Sequence, residues 1–303
     1  MGIFSFNYNK PGPGVDKDAP QKKGIFRYFE IFFRKFWKLL QVNMLYFLCS
    51  IPMIVILYGL IPVDDMKLIA FIQDGSAEIT EAAAMVPLTI RSILTIMLLV
   101  FLGSGPASAG YAYVTRCFTR EQHAWILSDF KDKFKENFKQ SIIVSIIDLV
   151  VIWFGSFAVR FYYAQYSATS SSIWLVLCCL LFTLLVLFTF MHMYIYQFMV
   201  TFEYKLSQLY RNAFIFSFAQ LPINIFIAIV AIGINVLMFS FLHPLFIVFI
   251  DLIIGYSLMR FPMDYTAARA IEKKLLPRAT VIEYEDDEPF FGSDDDTSNE
   301  GEE

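Results

Sequence analysis

Of the 303 residues, 57% are hydrophobic and only 17% are charged, and the mean hydropathy is +0.56. Soluble domains carry roughly 25% charged residues, so this composition leaves too little polar surface for a water-borne globule and points to lipid. The formal charge of −4 conceals an asymmetry: residues 283–303 hold eleven acids and no Lys or Arg, and the remainder has 24 basic residues against 17 acidic ones, a balance of +7. A basic body with apolar spans suits an anionic membrane surface. Its aromatics are interleaved with aliphatics rather than set out to read bases, which argues against nucleic acid as a partner.

In chain order, residues 1–23 (MGIFSFNYNKPGPGVDKDAPQKK) lack the apolar core and small-residue cleavage site of a signal peptide. They read as a cytoplasmic N-terminal segment. Next comes GIFRYFEIFFRKFWKLL, where a 100° helical step gathers Arg27, Arg34 and Lys38 within about 40° of one another and sets Phe29, Phe33, Phe36 and Leu40 opposite. The pattern predicts an amphipathic helix in the membrane interface.

A bilayer core needs roughly 20 apolar residues per helix. Six segments meet that length approximately: 39–60, 87–110, 141–162, 173–199, 221–242 and 244–259, with a turn at His243 and Pro244 dividing the last pair. The expected fold is therefore an all-α polytopic membrane helix bundle of about six transmembrane helices, occupying residues 24–275. Alternate connecting segments carry 21 and 3 of the 24 Lys and Arg residues. By the positive-inside bias, both termini are expected in the cytoplasm.

The second segment finishes in GSGPASAG. Gly103, Gly105, Ala107, Ala109 and Gly110 permit close helix approach, small residues recur four apart, and Pro106 kinks or ends a helix. This stretch is expected to form a packing corner at the cytoplasmic end of the second span. It leads into ILSDFKDKFKENFKQ, where Leu127, Phe130, Phe134 and Phe138 form a stripe flanked by Lys131, Lys135 and Lys139. A second interfacial helix is predicted there. Both basic aromatic helices are candidate surfaces for lipid or for a partner subunit. Residues 276–303 have the composition of a disordered, acidic cytoplasmic tail.

Polar groups inside spans are costly and thus candidate functional residues. Asn43, Asp148, His192, Asn224, Asn235 and Asp251 are in this class. Two acids and a histidine at comparable depth suit a proton or cation pathway; interhelical hydrogen bonding is the competing reading. Catalytic motifs are missing: GSGPAS departs from G-x-G-x-x-G at Ser108, and the chain contains no Walker A motif, HExxH or G-x-S-x-G. Cys49, Cys117, Cys178 and Cys179 form no CxxC pair, and only three histidines accompany them. No metal site, cofactor or enzymatic activity is expected.

The stretch GPASAGYAYVTRCFTREQHAWILSDFKDKFKENFKQS at 105–141 resembles the YesL-like family of bacterial integral membrane proteins, a domain of unknown function. VNMLYFLCSIPM at 42–53, EYKLSQLYRNAFIFSFAQLPINI at 203–225 and MRFPMDYTAARAI at 259–271 fit the same pattern. The resemblance implies a small polytopic protein of the bacterial cytoplasmic membrane whose genes accompany carbohydrate uptake genes. It follows that an accessory or assembly role beside the permease subunits of an ATP-driven importer is expected. A transporter or channel using Asp148, Asp251 and His192 is the alternative. The family supplies no catalytic residues, and the long acidic tail departs from its general pattern.

Overall fold

A computed structural model describes residues 24–60, 91–242 and 244–275. The N-terminal segment 1–23, the first residues of the second expected span, His243 and the acidic tail lie outside the described residues. Every regular element among the described residues is helical: α1 Ile25–Arg34, α2 Phe36–Leu60, α3 Arg91–Leu102, α4 Pro106–Thr119, α5 Ile126–Glu136, α6 Phe138–Thr169, α7 Ser172–Met199, α8 Leu206–Ala219, α9 Leu221–Phe241, α10 Pro244–Ile250 and α11 Tyr256–Lys274. A single π-helical turn, Asp251–Gly255, joins α10 to α11. The chain is an all-α bundle.

Four of these helices, α2, α6, α7 and α9, are long and apolar enough to cross a membrane, and α3 with α4 makes a fifth if the bent pair is one span. The expected second span thus does not end in a corner at Gly110. It breaks at Gly103–Gly105, bends by 61°, and resumes as a helix to Thr119. The expected sixth span is also helical, but it runs on past Met259 to Lys274. Its continuation carries Arg260, Asp264, Arg269 and Glu272, which keep α11 from reading as an apolar span. One helix escaped the sequence reading altogether: α8 turns back from the end of α7, with Leu209, Ala213, Phe216 and Ser217 buried at helical spacing. The Lys205 N–H at its start is capped by Gln208 Oε1 at 3.0 Å.

Both amphipathic helices form, but each buries groups expected to face outward. In α1, Phe29 and Phe33 are exposed, whereas Arg27 is buried and bonds Glu121 at 3.2 Å; Arg34 reaches the same carboxylate at 2.9 Å. Two guanidiniums thus clamp α1 to the turn after α4. In α5, Phe130 is 2% exposed and its ring lies over Gly110, where an added Cβ would come within 2.9 Å of it. Phe134 is half-buried against the core, and only Phe138 of the three remains exposed. The middle of the stripe packs between α5 and α4, because Gly110 leaves a notch that the Phe130 ring fills, while Leu127 and Phe138 at its ends stay exposed.

Packing is uneven along the two longest helices. In α7 every residue from Phe190 to Met199 is buried, whereas Ser172–Thr189 has none. In α6 the buried positions are Ser141, Val144, Asp148 and Gly155. The ends of α6 and α7 near the basic segments are therefore wrapped by α3, α4, α8 and α11. Their far ends form a hairpin through Ser170 and Ser171, where Leu185 packs into the space left by Gly155.

Candidate functional site

The break between α3 and α4 organises the polar interior. Gly103 (φ +90°) and Gly105 (φ +64°) take backbone conformations that favour glycine. A Cβ on Gly105 would also approach Ser145 Oγ to 2.7 Å, and one on Gly103 would approach Tyr196 Cε2 to 2.8 Å. Backbone groups released by the break find hydroxyls: Ser104 N–H donates to Ser108 Oγ at 2.8 Å, and Gly105 N–H donates to the Tyr196 hydroxyl at 3.3 Å. Ser104 and Ser50 share a hydrogen bond of 2.5 Å, which ties the break to the middle of α2. Pro106 sits at the first position of α4, where its missing N–H costs nothing.

Arg260 holds the other side of the break. Its Nη1 donates to the carbonyls of Val100 (2.7 Å) and Phe101 (3.1 Å), two of the acceptors left over at the end of α3. Nη2 donates to the carbonyl of His192 at 3.0 Å, and Nε to Asp264 Oδ1 at 3.1 Å. Asp264 Oδ2 in turn accepts from Thr115 Oγ1 at 3.0 Å on α4. One ion pair, both members 1% exposed, therefore joins α3, α4, α7 and α11. The sequence reading counted Arg260 among the basic flanking residues. Its pairing with an acid four residues on, inside MRFPMD, was the available signal.

Asp148 and His192 meet directly, with Nε2 and Oδ1 2.7 Å apart and both side chains buried. His192 Nδ1 lies 3.0 Å from the carbonyl of Phe188, which can only accept, so Nδ1 carries a proton. The two side chains are close enough to pair ionically, but their atoms are not aligned as a hydrogen bond. Close by, the Tyr210 ring lies 6.4 Å from that of His192, and its hydroxyl is buried without a partner among the described residues.

Asp251 meets Asn43 through its backbone rather than joining Asp148 and His192. The π turn releases backbone groups from the helical ladder, and the Asn43 carboxamide satisfies three of them. Its Nδ2 donates to the carbonyls of Asp251 and Leu252, each at 2.8 Å, and its Oδ1 accepts the Ser257 N–H at 2.7 Å. Asn43 is thus a bracket between α2 and the π turn. The Asp251 carboxylate is 2% exposed, and neither of its oxygens has a partner among the described residues. No hydrogen bond or ion pair connects it to the Asp148–His192 pair, so the structure unites one acid with the histidine and leaves the other apart. Of the remaining asparagines, Asn224 accepts from the Tyr194 hydroxyl at 2.7 Å and Asn235 faces Met259 Sδ at 3.7 Å.

On the surface, Lys131, Lys135 and Lys139 are exposed along α5 and the start of α6, with no acidic partner among the described residues; Lys133 alone is paired, to Glu136 at 2.6 Å. No group of three His, Cys, Asp or Glu side chains among the described residues is arranged to hold a metal ion.

The sequence profile of a family described as proteins of unknown function, DUF624, matches residues 88–157. That span takes in the break, α4, α5 and the part of α6 that carries Asp148, but not His192, Arg260 or Asp264. No curated protein and no solved structure matches the chain.

Proposed function

We propose that this chain is a non-catalytic accessory subunit of the bacterial cytoplasmic membrane that docks onto the permease of a carbohydrate importer, with both termini in the cytoplasm. The observation that carries the reading is the partition of charge. Arg260 spends four N–H bonds on groups of its own chain, and Asp264, Asp148 and His192 are all engaged internally. Lys131, Lys135 and Lys139, three of the exposed cations without an ion pair among the described residues, follow one another along α5 and the start of α6. A closed interior with an open basic face suits a protein that binds rather than one that conducts. The carbohydrate association rests on the family resemblance at 105–141. Tagged full-length protein, expressed at native level and taken into mild detergent, is expected to bring down permease subunits; recovery of the chain alone overturns the reading.

One observation favours a second reading, proton-coupled transport. A buried acid–histidine pair beside a discontinuous helix is the arrangement that transporters use to couple ions to substrate. Vesicles containing the protein would then show a proton or solute flux that falls in Asp148→Asn or Asp251→Asn. Wild-type vesicles that leak no faster than protein-free ones exclude it.

A further inference from the structure

Beside the basic end of α2 an open groove of about 730 Å³ runs between α2, the turn leading into α5 and the π turn. Its polar wall is Lys38, Gln41 and His123, and its apolar wall includes Leu45, Leu48 and Leu252. These positions are ordered by depth. Lys38, Gln41, Leu45 and Leu48 succeed one another on one face of α2, and the ten helical steps from Lys38 to Leu48 rise about 15 Å. That is the hydrocarbon depth of one leaflet, half of about 30 Å. Trp125 at the mouth is 72% exposed and stacks edge-on with His123 at 4.8 Å, the placement of an interfacial aromatic.

We infer that this groove holds one anionic phospholipid of the bilayer, with its phosphate on Lys38 and His123 and an acyl chain along Leu45, Leu48 and Leu252. Along α2 the groove wall changes from Lys38 to Leu48 over the distance at which a lipid passes from head group to chain end. The charge is of the right sign. No acid lines the groove; of the acids beside it, Glu121 is taken by Arg27 and Arg34, and Asp129 accepts the Trp125 N–H at 2.8 Å. Neighbouring Lys35 is held below its ordinary value by burial and then by repulsion from Lys38 and Arg34, which Glu121 only opposes. An anion is what such a local field lacks. The wall itself is fixed by Asn43, whose bond to the Leu252 carbonyl holds the π turn against α2.

The test uses the full chain in vesicles with Trp37, Trp153 and Trp174 replaced by Phe, so that Trp125 alone reports. At equal mole fraction, a brominated anionic phospholipid should quench Trp125 about five-fold more effectively than a brominated zwitterionic one, the weight of about one lysine near an anionic surface. Lys38→Glu should abolish that preference, and Lys205→Glu, outside the groove, should keep it. Native mass spectrometry of the wild-type protein, which needs no tryptophan changes, should find one retained anionic phospholipid that is missing from Lys38→Glu. Equal quenching by both lipids, a preference that survives Lys38→Glu, or wild-type protein that retains no lipid overturns the inference. So does a preference erased by soluble glycerol phosphate, which marks a head-group anion site, or one that emerges only when residues 276–303 are removed, which marks the tail as occupant.

Discussion

Two regions of the same pair of helices obey different rules. In the far hairpin of α6 and α7, hydroxyls bond back to their own helix: Ser167 to Tyr163, Thr169 to Gln165 and Thr183 to Cys179 through their carbonyls. Around them Phe157 (62% exposed) and Val176 (61%) face outward. In the wrapped half hydroxyls bond back to their own helix too, as Ser50 and Thr115 do, but polar side chains also reach across helices: Ser50 to Ser104, Tyr111 to Ser257, Thr115 to Asp264 and Tyr194 to Asn224. Among the described residues, the buried charged side chains of α6 and α7, Asp148 and His192, both lie in that half. A helix surrounded by lipid must satisfy itself, whereas one surrounded by protein can trade partners. The break in α3–α4 and the π turn are tolerable because they fall where partners are available.

The largest expected effect comes from opening the wrapped half at its hub. Arg260→Ala leaves Asp264 uncompensated and the α3 carbonyls uncapped, and should destabilise the detergent-solubilised protein by about 3–5 kcal/mol in thermal unfolding. The double variant Arg260→Met, Asp264→Leu should regain much of that loss, since an apolar pair of similar size replaces a buried ion pair at little cost. A double variant as unstable as the single one would mean that capping of α3, rather than the ion pair, dominates.

Of comparable size is Asn43→Leu. It strands two carbonyls and one N–H of the π turn, at about 1–3 kcal/mol for each buried unpaired group. A loss well under that range would show that the turn relaxes into an ordinary α-helical register without its bracket. Gly105→Ala follows, with about 1–3 kcal/mol from its positive φ. Adding Ser145→Ala should recover only the part due to the 2.7 Å approach of Ser145 Oγ. The smallest effect belongs to the hairpin: Thr183→Val should change stability by no more than about 0.5 kcal/mol, as at positions without a special contact. A large effect there would erase the contrast between the two halves.

Helix identity was legible in the sequence because hydrophobic runs of about 20 residues report directly on the bilayer. The glycines of GSGPASAG were legible as a packing element, but the helix that runs on after them to Thr119 was not. Span counting treats a proline and three glycines as an end, and only the partners contributed by Ser50, Tyr196 and Arg260 allow the helix to resume. The same limit hid Arg260: a charged residue just past an apolar run looks solvated until its partner at i+4 and the free carbonyls of another helix are seen together. Phe130 misled for a related reason. A helical stripe reports an apolar face but not whether lipid or a glycine notch such as Gly110 receives it. Asn43 and Asp251 were both among the intramembrane polar residues; the link between them runs through the backbone, which side-chain chemistry does not announce.

The separation of a closed interior from an open basic face is tested most directly by comparing capture efficiencies, normalised to folded protein. Tagged wild type, the surface variant Lys131→Glu, Lys135→Glu, Lys139→Glu and the hairpin variant Phe157→Leu would be purified side by side from native-level expression and their bound permease subunits quantified by mass spectrometry. Wild type and Phe157→Leu should recover the partner equally, and the triple variant should lose most of it. Equal recovery by all three, or loss in the hairpin variant alone, would contradict the account.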